Sequence, residues 1–118
     1  MDIAAKLLAI EEIKALKARY FRCMDNKDWK GLEDVFTPDV TTDFRDSTGQ
    51  HNEAMLMQGA APYVAMLSPI LQPLVTVHHG HTPEINVISP IEAKGIWAME
   101  DKLWAPEGAM PWKFLHGY

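Results

Sequence analysis

Two long runs of β-forming residues, 74–88 and 91–105, follow one another with only Ser89 and Pro90 between them. Both runs are rich in the β-branched and aromatic residues that favour strands, and a Ser-Pro pair favours a tight turn. The sequence therefore predicts a long antiparallel hairpin. Because a lone hairpin is barely stable in water, it has to pack against the rest of the chain.

The first segment has the spacing of a helix. Its apolar residues recur at steps of three and four positions, and its charged residues, Lys14 and Lys17 among them, take the other faces. The apolar positions are Ile10, Ile13, Leu16, Tyr20 and Met24. Asp28 fits the N-cap of a short second helix, "WKGLEDVF", which Pro38 ends.

Three further elements complete the predicted order. "DVTTDFRD" is typical of a short strand, and "EAMLMQGAAPYVAMLSPIL" of one helix, or of two that Pro62 and Pro69 separate. A last strand begins near Pro111 and runs to Tyr118. Helices that precede an antiparallel meander predict a single α+β domain over residues 1–118, with a pocket where the sheet curves around the helices.

Composition and charge exclude several classes of function. Hydrophobic residues make up 47% of the 118 residues, the net charge is −5 and there is no basic run, so we expect neither nucleic acid nor an anionic membrane surface as a partner. No apolar run is long enough to span a bilayer, and the N-terminus lacks the features of a signal peptide. The single cysteine, Cys23, excludes an intrachain disulfide and is compatible with a cytoplasmic protein.

Three histidines, His78, His79 and His81, lie within four positions of the first long run. Since side chains alternate along a strand, His79 and His81 share one face and His78 takes the other. His79, His81 and Glu84 loosely resemble the ligand set of cupins, but the spacing to Glu84 is one residue short and Pro83 interrupts it. We therefore expect no metal site, and the alternative for each histidine is an ordinary half-buried strand residue.

Two aspartates stand where local physics disfavours a carboxylate. Asp101 interrupts an otherwise apolar strand face, where an unpaired charge is costly, unless the strand end reaches water. Asp25 falls in the last turn of the first helix, where the helix dipole disfavours an anion, unless it caps the turn that follows. Tyr20, five residues earlier, is a core aromatic or a buried hydroxyl that needs a partner.

Several motifs of the chain resemble those of the SnoaL-like branch of the nuclear-transport-factor-2-like superfamily, and in particular its bile acid 7α-dehydratases and scytalone dehydratases. They are "YFRC-x-D" in the first helix, "H-x-GHTPEI" in one strand and "G-x-W-x-x-EDKL" in the next. The resemblance implies an α+β cone, in which a strongly bent sheet wraps around long N-terminal helices and an apolar pocket opens at the mouth. It also implies final strands of roughly thirty residues beyond "FLHGY", which this chain does not contain.

The resemblance implies a catalytic set of His78 as base, Asp25 as its partner, and Tyr20 and Asp101 as further polar groups. The residues expected to contact substrate are Trp97, Met99, Met24 and His81. The implied chemistry needs no metal and no cofactor: His78 takes a proton from carbon next to a carbonyl and later assists the departure of water.

We therefore expect a lyase or isomerase that acts on a small hydrophobic ring compound, such as a steroid, polyketide or terpenoid enone. The alternatives are a polyketide-cyclase or epoxide-hydrolase-like enzyme and a non-catalytic ligand-binding or protein-interaction module, because one fold hosts many functions. An open sheet edge and the mixed Lys94/Ile96/Ala98/Trp104 face predict a homo-oligomer, either a dimer or a trimer.

Overall fold

The structure of the protein is a computed structural model, which describes residues 1–44, 50 and 56–105 and the backbone of 113–117. Helix α1 spans Ile3–Asp25, and the side chain of Asp2 caps it by accepting from the Ala5 N–H at 2.8 Å. Helix α2 spans Trp29–Asp34, and the Asp28 carboxylate accepts from the Gly31 N–H at 2.9 Å. The predicted first helix and the predicted cap of the second are both confirmed. The second helix is shorter than predicted, since it ends four residues before Pro38.

The middle of the chain departs from the prediction. Strand β1 spans Thr41–Thr42 and pairs antiparallel with β2, Met57–Gln58, so residues expected to be helical begin as a strand. Gly59 follows with a φ of 102°, a conformation that suits glycine, and helix α3 starts only after it, spanning Ala60–Leu71. The expected strand beyond Phe44 and the expected helix at 53–55 lie outside the described residues.

The two prolines do not divide this helix. Pro62 falls in the first turn of α3, where a backbone N–H has no partner within the helix, and Pro69 lies inside the last turns without ending it. The prediction of one continuous helix is therefore the correct one of the two for residues 60–71.

The predicted hairpin forms, but both of its arms are interrupted. The first arm divides into β3, Val75–Gly80, and β4, Glu84–Ser89, and the second into β5, Glu92–Ile96, and β6, Met99–Trp104. Strand β3 pairs with β6 and β4 with β5, both antiparallel. At the interruption the His81 N–H still donates to the Ala98 carbonyl at 2.8 Å, so the hairpin bends without coming apart. Pro83, which has no N–H to donate, lies at the bend.

The last strand, β7, spans Lys113–Gly117 and pairs with β6, which gives a sheet of order β3-β6-β7. This sheet packs on α1, and α1 also packs on α2. The buried core lies among the C-terminal half of α1, α2 and α3, with Leu32 fully buried at 0% exposure. Its buried members are Cys23, Met24, Leu32, Tyr63, Val64 and Leu71. Among the described residues, no helix is long and apolar enough to cross a membrane.

Candidate active site

The end of α1 and the middle of β3 bring Asp25 and His78 together. The Asp25 Oδ1 lies 2.5 Å from the His78 Nδ1, and its Oδ2 accepts from the His78 backbone N–H at 3.1 Å. The carboxylate therefore holds both the ring and the backbone of the histidine. The His78 side chain is 8% exposed, although it lies on a strand whose next residue, His79, faces solvent.

Thr76 and Lys27 form a short hydrogen-bonded chain that ends at the Asp25 carboxylate. The Thr76 hydroxyl donates to Asp25 Oδ1 at 2.9 Å and accepts from the Lys27 ammonium at 3.2 Å. Thr76 and His78 are two positions apart on β3 and so share a face. Burial lowers the pKa of Lys27, and the nearby Asp25 carboxylate opposes that shift. Sequence reasoning missed both residues, although the alternation of β3 places Thr76 on the face of His78.

These contacts determine which nitrogen of His78 is available. With Nδ1–H donating to the carboxylate, Nε2 carries the lone pair, because a neutral imidazole has one donor and one acceptor nitrogen. The Phe21 ring stacks on the imidazole at a centroid distance of 5.9 Å and an interplanar angle of 10°. The ring is thus held by one hydrogen bond at Nδ1 and by stacking on the face of Phe21.

Gly80 makes room for that stack. A Cβ at this position would lie 2.7 Å from a Phe21 ring carbon, which is closer than real contacts allow. The register from Val75↔Trp104 to Gly80↔Met99 is regular, so Gly80 does not bulge the strand and His79 stays on the face opposite to His78.

Asp101 lies directly across from His78 in the β3-β6 register. Its Oδ2 is 3.7 Å from His78 Nε2, its side chain is 7% exposed, and its buried Oδ1 has no hydrogen-bond partner among the described residues. Burial raises the pKa of Asp101; positive charge on His78 would oppose this, and the Asp25 carboxylate reinforces it. A carboxyl that resists ionisation and has an unpaired oxygen is suited to donate a hydrogen bond to a ligand.

Tyr20 also has a partner that the sequence did not identify. Its hydroxyl lies 2.7 Å from the hydroxyl of Tyr63 on α3, and burial raises the pKa of both phenols. Both therefore stay protonated and can donate. None of the three family motifs includes Tyr63, so the sequence did not point to it.

Tyr20, Tyr63, His78 and Asp101 line one cavity of about 840 Å³, whereas Asp25 contacts His78 without belonging to the described lining. The expected substrate contacts Met24, Trp97 and Met99 lie in its wall, and so does Lys17, which the helical pattern had placed on a charged face. Most of the remaining wall is apolar or aromatic. Its described lining is Lys17, Tyr20, Phe21, Met24, Asp43, Phe44, Tyr63, Leu67, Leu71, His78, Gly95, Ile96, Trp97, Met99, Asp101 and Leu103.

His81 does not lie in this wall, so its expected contact with substrate is not found. Strand β3 ends at Gly80, and the His81 side chain, 53% exposed, pairs with Glu100 at 2.9 Å instead. Within the described part of the chain, no three His, Cys, Asp or Glu side chains are grouped so that they could hold a metal ion.

Comparison with known proteins assigns the chain to a family. The model of the SnoaL-like domain matches residues 5–117. A scytalone dehydratase-like protein from Novosphingobium aromaticivorans is 18% identical with a TM-score of 0.83, over 98% of this chain and 73% of that one. A protein of unknown function from Mycobacterium tuberculosis is 20% identical with a TM-score of 0.78, over 99% and 63%.

The hexachlorocyclohexane dehydrochlorinase LinA is 14% identical with a TM-score of 0.74, over 99% of this chain and 90% of that one. At such identities the likeness to the solved structures is one of fold, and it confirms the predicted α+β architecture. The family match covers nearly the whole chain and confirms the resemblance seen in its motifs. The chain belongs to the SnoaL-like domain family.

Proposed function

We propose that this protein is a metal-free lyase or isomerase that uses His78 and Asp25 as a catalytic dyad. The observation that carries the proposal is the orientation of the imidazole: its Nδ1 is held by Asp25 at 2.5 Å, and its other nitrogen faces Asp101 and the cavity. A base that removes a proton from carbon needs such a fixed lone pair in a site that excludes water.

The first step is proton abstraction. His78 Nε2 takes a proton from carbon next to a carbonyl, the C–H electron pair becomes the C=C bond of an enolate, and the negative charge moves to the carbonyl oxygen. Protonated Asp101 or the Tyr20 phenol donates a hydrogen bond to that oxygen. Asp25 stabilises the imidazolium that forms, since a carboxylate at hydrogen-bond distance favours the charged ring.

The second step releases the leaving group. The enolate electrons form a double bond to the neighbouring carbon and expel its hydroxyl, and the His78 imidazolium gives its proton to that oxygen, so that it leaves as water. The histidine returns to its neutral form and no further reagent is needed. If the proton returns to a different carbon instead, the same residues catalyse an isomerisation.

The solved structures of similar fold support an elimination. One is a dehydratase-like protein and another a dehydrochlorinase, names that denote the loss of water and of hydrogen chloride respectively. Both reactions remove a proton from carbon and a leaving group from its neighbour. In the proposed mechanism His78 is the base for the first part, and its imidazolium is the acid for the second.

The cavity also indicates a class of substrate. A volume of about 840 Å³ lined by Phe21, Trp97, Met24, Met99 and leucines suits a hydrophobic ring compound. Steroid, polyketide and terpenoid β-hydroxyketones combine such a ring with an acidic C–H and a leaving hydroxyl.

The test is a screen of these hydroxyketones for the absorbance of the enone that forms when water is lost. The wild type should produce enone from at least one of them, and dialysis against a chelator should leave its rate unchanged. Loss of the rate on dialysis, with recovery on adding a divalent ion, would contradict the dyad. Ligands that bind without reacting, and that exchange no α-proton with D₂O, would favour a binding module instead.

We further propose that the chain acts as a homo-oligomer in the cytoplasm. Large apolar side chains are exposed along the first half of α1 and on the β4-β5 arm, among them Leu7, Leu8, Ile88 and Ile91. Covering such a surface favours self-association. Light scattering at micromolar concentration should give the mass of a dimer or trimer, and a monomer alone would contradict this.

A further inference from the structure

Lys17 has an unusual environment for a lysine. It lies one turn before Tyr20 on α1, and its ammonium sits over three aromatic rings. The distances from Nζ to the ring centroids are 4.7 Å for Tyr20, 4.9 Å for Phe21 and 5.6 Å for Trp97. Lys17 is therefore a half-buried residue of the cavity wall, and its ammonium lies against aromatic rings.

Lys14 and Lys30 differ from Lys17 because each forms an ion pair with a carboxylate of its own helix. Lys14 binds Glu11 at 2.8 Å and Lys30 binds Asp34 at 2.9 Å, both at the surface. For Lys17, no carboxylate within the described residues comes within ion-pair distance, and its contacts are the three rings. An ammonium has three N–H donors, and ring faces attract it without replacing an oxygen acceptor.

Two acidic residues, Asp43 and Asp101, share the described wall of the cavity with Lys17. Asp101 is the acidic group that acts on it most directly, but burial raises the pKa of that carboxyl and favours its neutral form. Asp25 is engaged by His78 and Thr76. Burial lowers the pKa of Lys17 itself, with Asp101 opposing, as expected of a cation taken out of water.

Lys17 also lies in the wall between two neighbouring cavities. A second cavity of about 400 Å³ shares part of its wall with the main one. The shared residues are Lys17, Tyr20, Asp43, Phe44, Tyr63 and Trp97. An anionic group at Lys17 would still leave the ring of the ligand beside His78 and Asp101 in the larger space.

We propose that Lys17 is an anion-binding residue of the cavity, and that the natural substrate is a hydrophobic ring compound that carries a carboxylate or another fixed anionic oxygen. This proposal rests on the proposed function, whose substrate it narrows. The rings of Tyr20, Phe21 and Trp97 hold the ammonium in place. A carboxylate oxygen of the ligand would accept a hydrogen bond from it, and no residue of the described part of the chain does so.

The experiment compares two probes of the same shape, 2-naphthoate and the uncharged 2-naphthamide, by titration calorimetry. The wild type should bind naphthoate roughly 10- to 100-fold more tightly, the range expected for hydrogen bonds to charged groups. Lys17→Met keeps the length of the side chain and should bind both probes alike. Lys14→Met, on the same helix but at the surface, should behave like the wild type.

Two results would overturn the proposal. One is a wild type that does not prefer naphthoate, whether it binds both probes equally or neither. The other is a Lys17→Met protein that keeps the preference while its circular dichroism and thermal unfolding match those of the wild type. If Lys17→Met does not fold, Lys17→Gln provides the same comparison with a neutral polar side chain.

The outcome is independent of turnover. His78→Ala should retain the preference for naphthoate, because the base plays no part in binding a fixed anion. If the protein forms enone but shows no preference for the carboxylate, the proposed function stands and the role of Lys17 is refuted. If it shows the preference but has no turnover, the role of Lys17 stands and the proposed function is refuted.

Discussion

Replacing Asp25 by Asn tests how the dyad works. The Asp25 carboxylate accepts from three donors: the His78 ring at 2.5 Å, the His78 backbone N–H at 3.1 Å and the Thr76 hydroxyl at 2.9 Å. Asparagine has nearly the same shape but turns one of the two oxygens into a donor. Either the ring or the backbone N–H then faces an N–H₂ group.

The functional cost follows from the tautomer. If the amide N–H₂ faces Nδ1, the neutral ring accepts there and carries its proton on Nε2, so that no lone pair faces the cavity. General-base catalysis contributes roughly two to four orders of magnitude, and we expect Asp25→Asn to lose turnover in that range. Because an interaction with a charged group is also lost, the free energy of unfolding should fall by about 1.5–3 kcal/mol.

The assay combines kinetics with spectroscopy. Enone formation gives the rate, urea unfolding gives the stability, and ¹⁵N spectra of the imidazole report which nitrogen of His78 carries the proton. The wild type should carry it on Nδ1 at neutral pH. His78→Ala and Asp25→Asn act as one unit, so the double variant should be no slower than His78→Ala alone.

Two outcomes would refute this reasoning. Turnover of Asp25→Asn within about twofold of the wild type, which is the scatter expected of unrelated sites, would show that the carboxylate does not set up the base. Losses that multiply in the double variant would show that His78 and Asp25 act separately.

Three further predictions concern Thr76, Asp101 and the buried Leu32 of the helical core. Thr76→Val should lower turnover about tenfold by removing one donor to the Asp25 carboxylate, whereas Thr76→Ser should restore it, as steady-state kinetics would show; equal rates for both variants would contradict the role of the hydroxyl. Burial raises the folded-state pKa of Asp101 above its ordinary value of 3.8, so the protein loses stability as pH rises from that value through the folded pKa and the carboxyl ionises. Asp101→Asn has no carboxyl to ionise, and its Tm should therefore rise relative to that of the wild type across this pH interval. A difference in Tm that stays constant with pH would contradict a buried neutral carboxyl. Leu32→Ala should lower the free energy of unfolding by about 2–5 kcal/mol because the side chain is fully buried. Leu8→Ala, at a position that is 61% exposed, should change it by at most about 0.5 kcal/mol. Urea unfolding measures both values.

The elements that the sequence predicted well are those that local rules determine. Asp28 caps α2, the apolar spacing places α1, and the Ser89-Pro90 turn pairs the two long runs. The bend at residues 81–83 was not predicted, although Pro83, which has no N–H to donate, lies within it. Strand β2 was missed because its partner β1 is distant in the sequence: the paired residues Thr42 and Met57 are fifteen positions apart.

The candidate site divides in the same way. Asp25 and Asp101 stood out because a helix C-terminus and an apolar strand face disfavour carboxylates, but only the family motifs suggested that they lie near His78. Asp25 and His78 are 53 positions apart, and no periodicity connects them. Lys17 and Tyr63 were not identified at all: a lysine on a charged helix face and a tyrosine in an apolar helix look ordinary until the fold turns both into one cavity.

The central claim is that His78, and no other histidine of the run, is the base. The most direct measurement is the rate of enone formation by His78→Ala and His79→Ala, with folding checked by circular dichroism. His78 is 8% exposed and faces the cavity, whereas His79 is exposed on the opposite face of the same strand. We predict a loss of roughly two to four orders of magnitude for His78→Ala and a rate close to that of the wild type for His79→Ala. Equal losses in two folded variants, or no loss in either, would contradict the account.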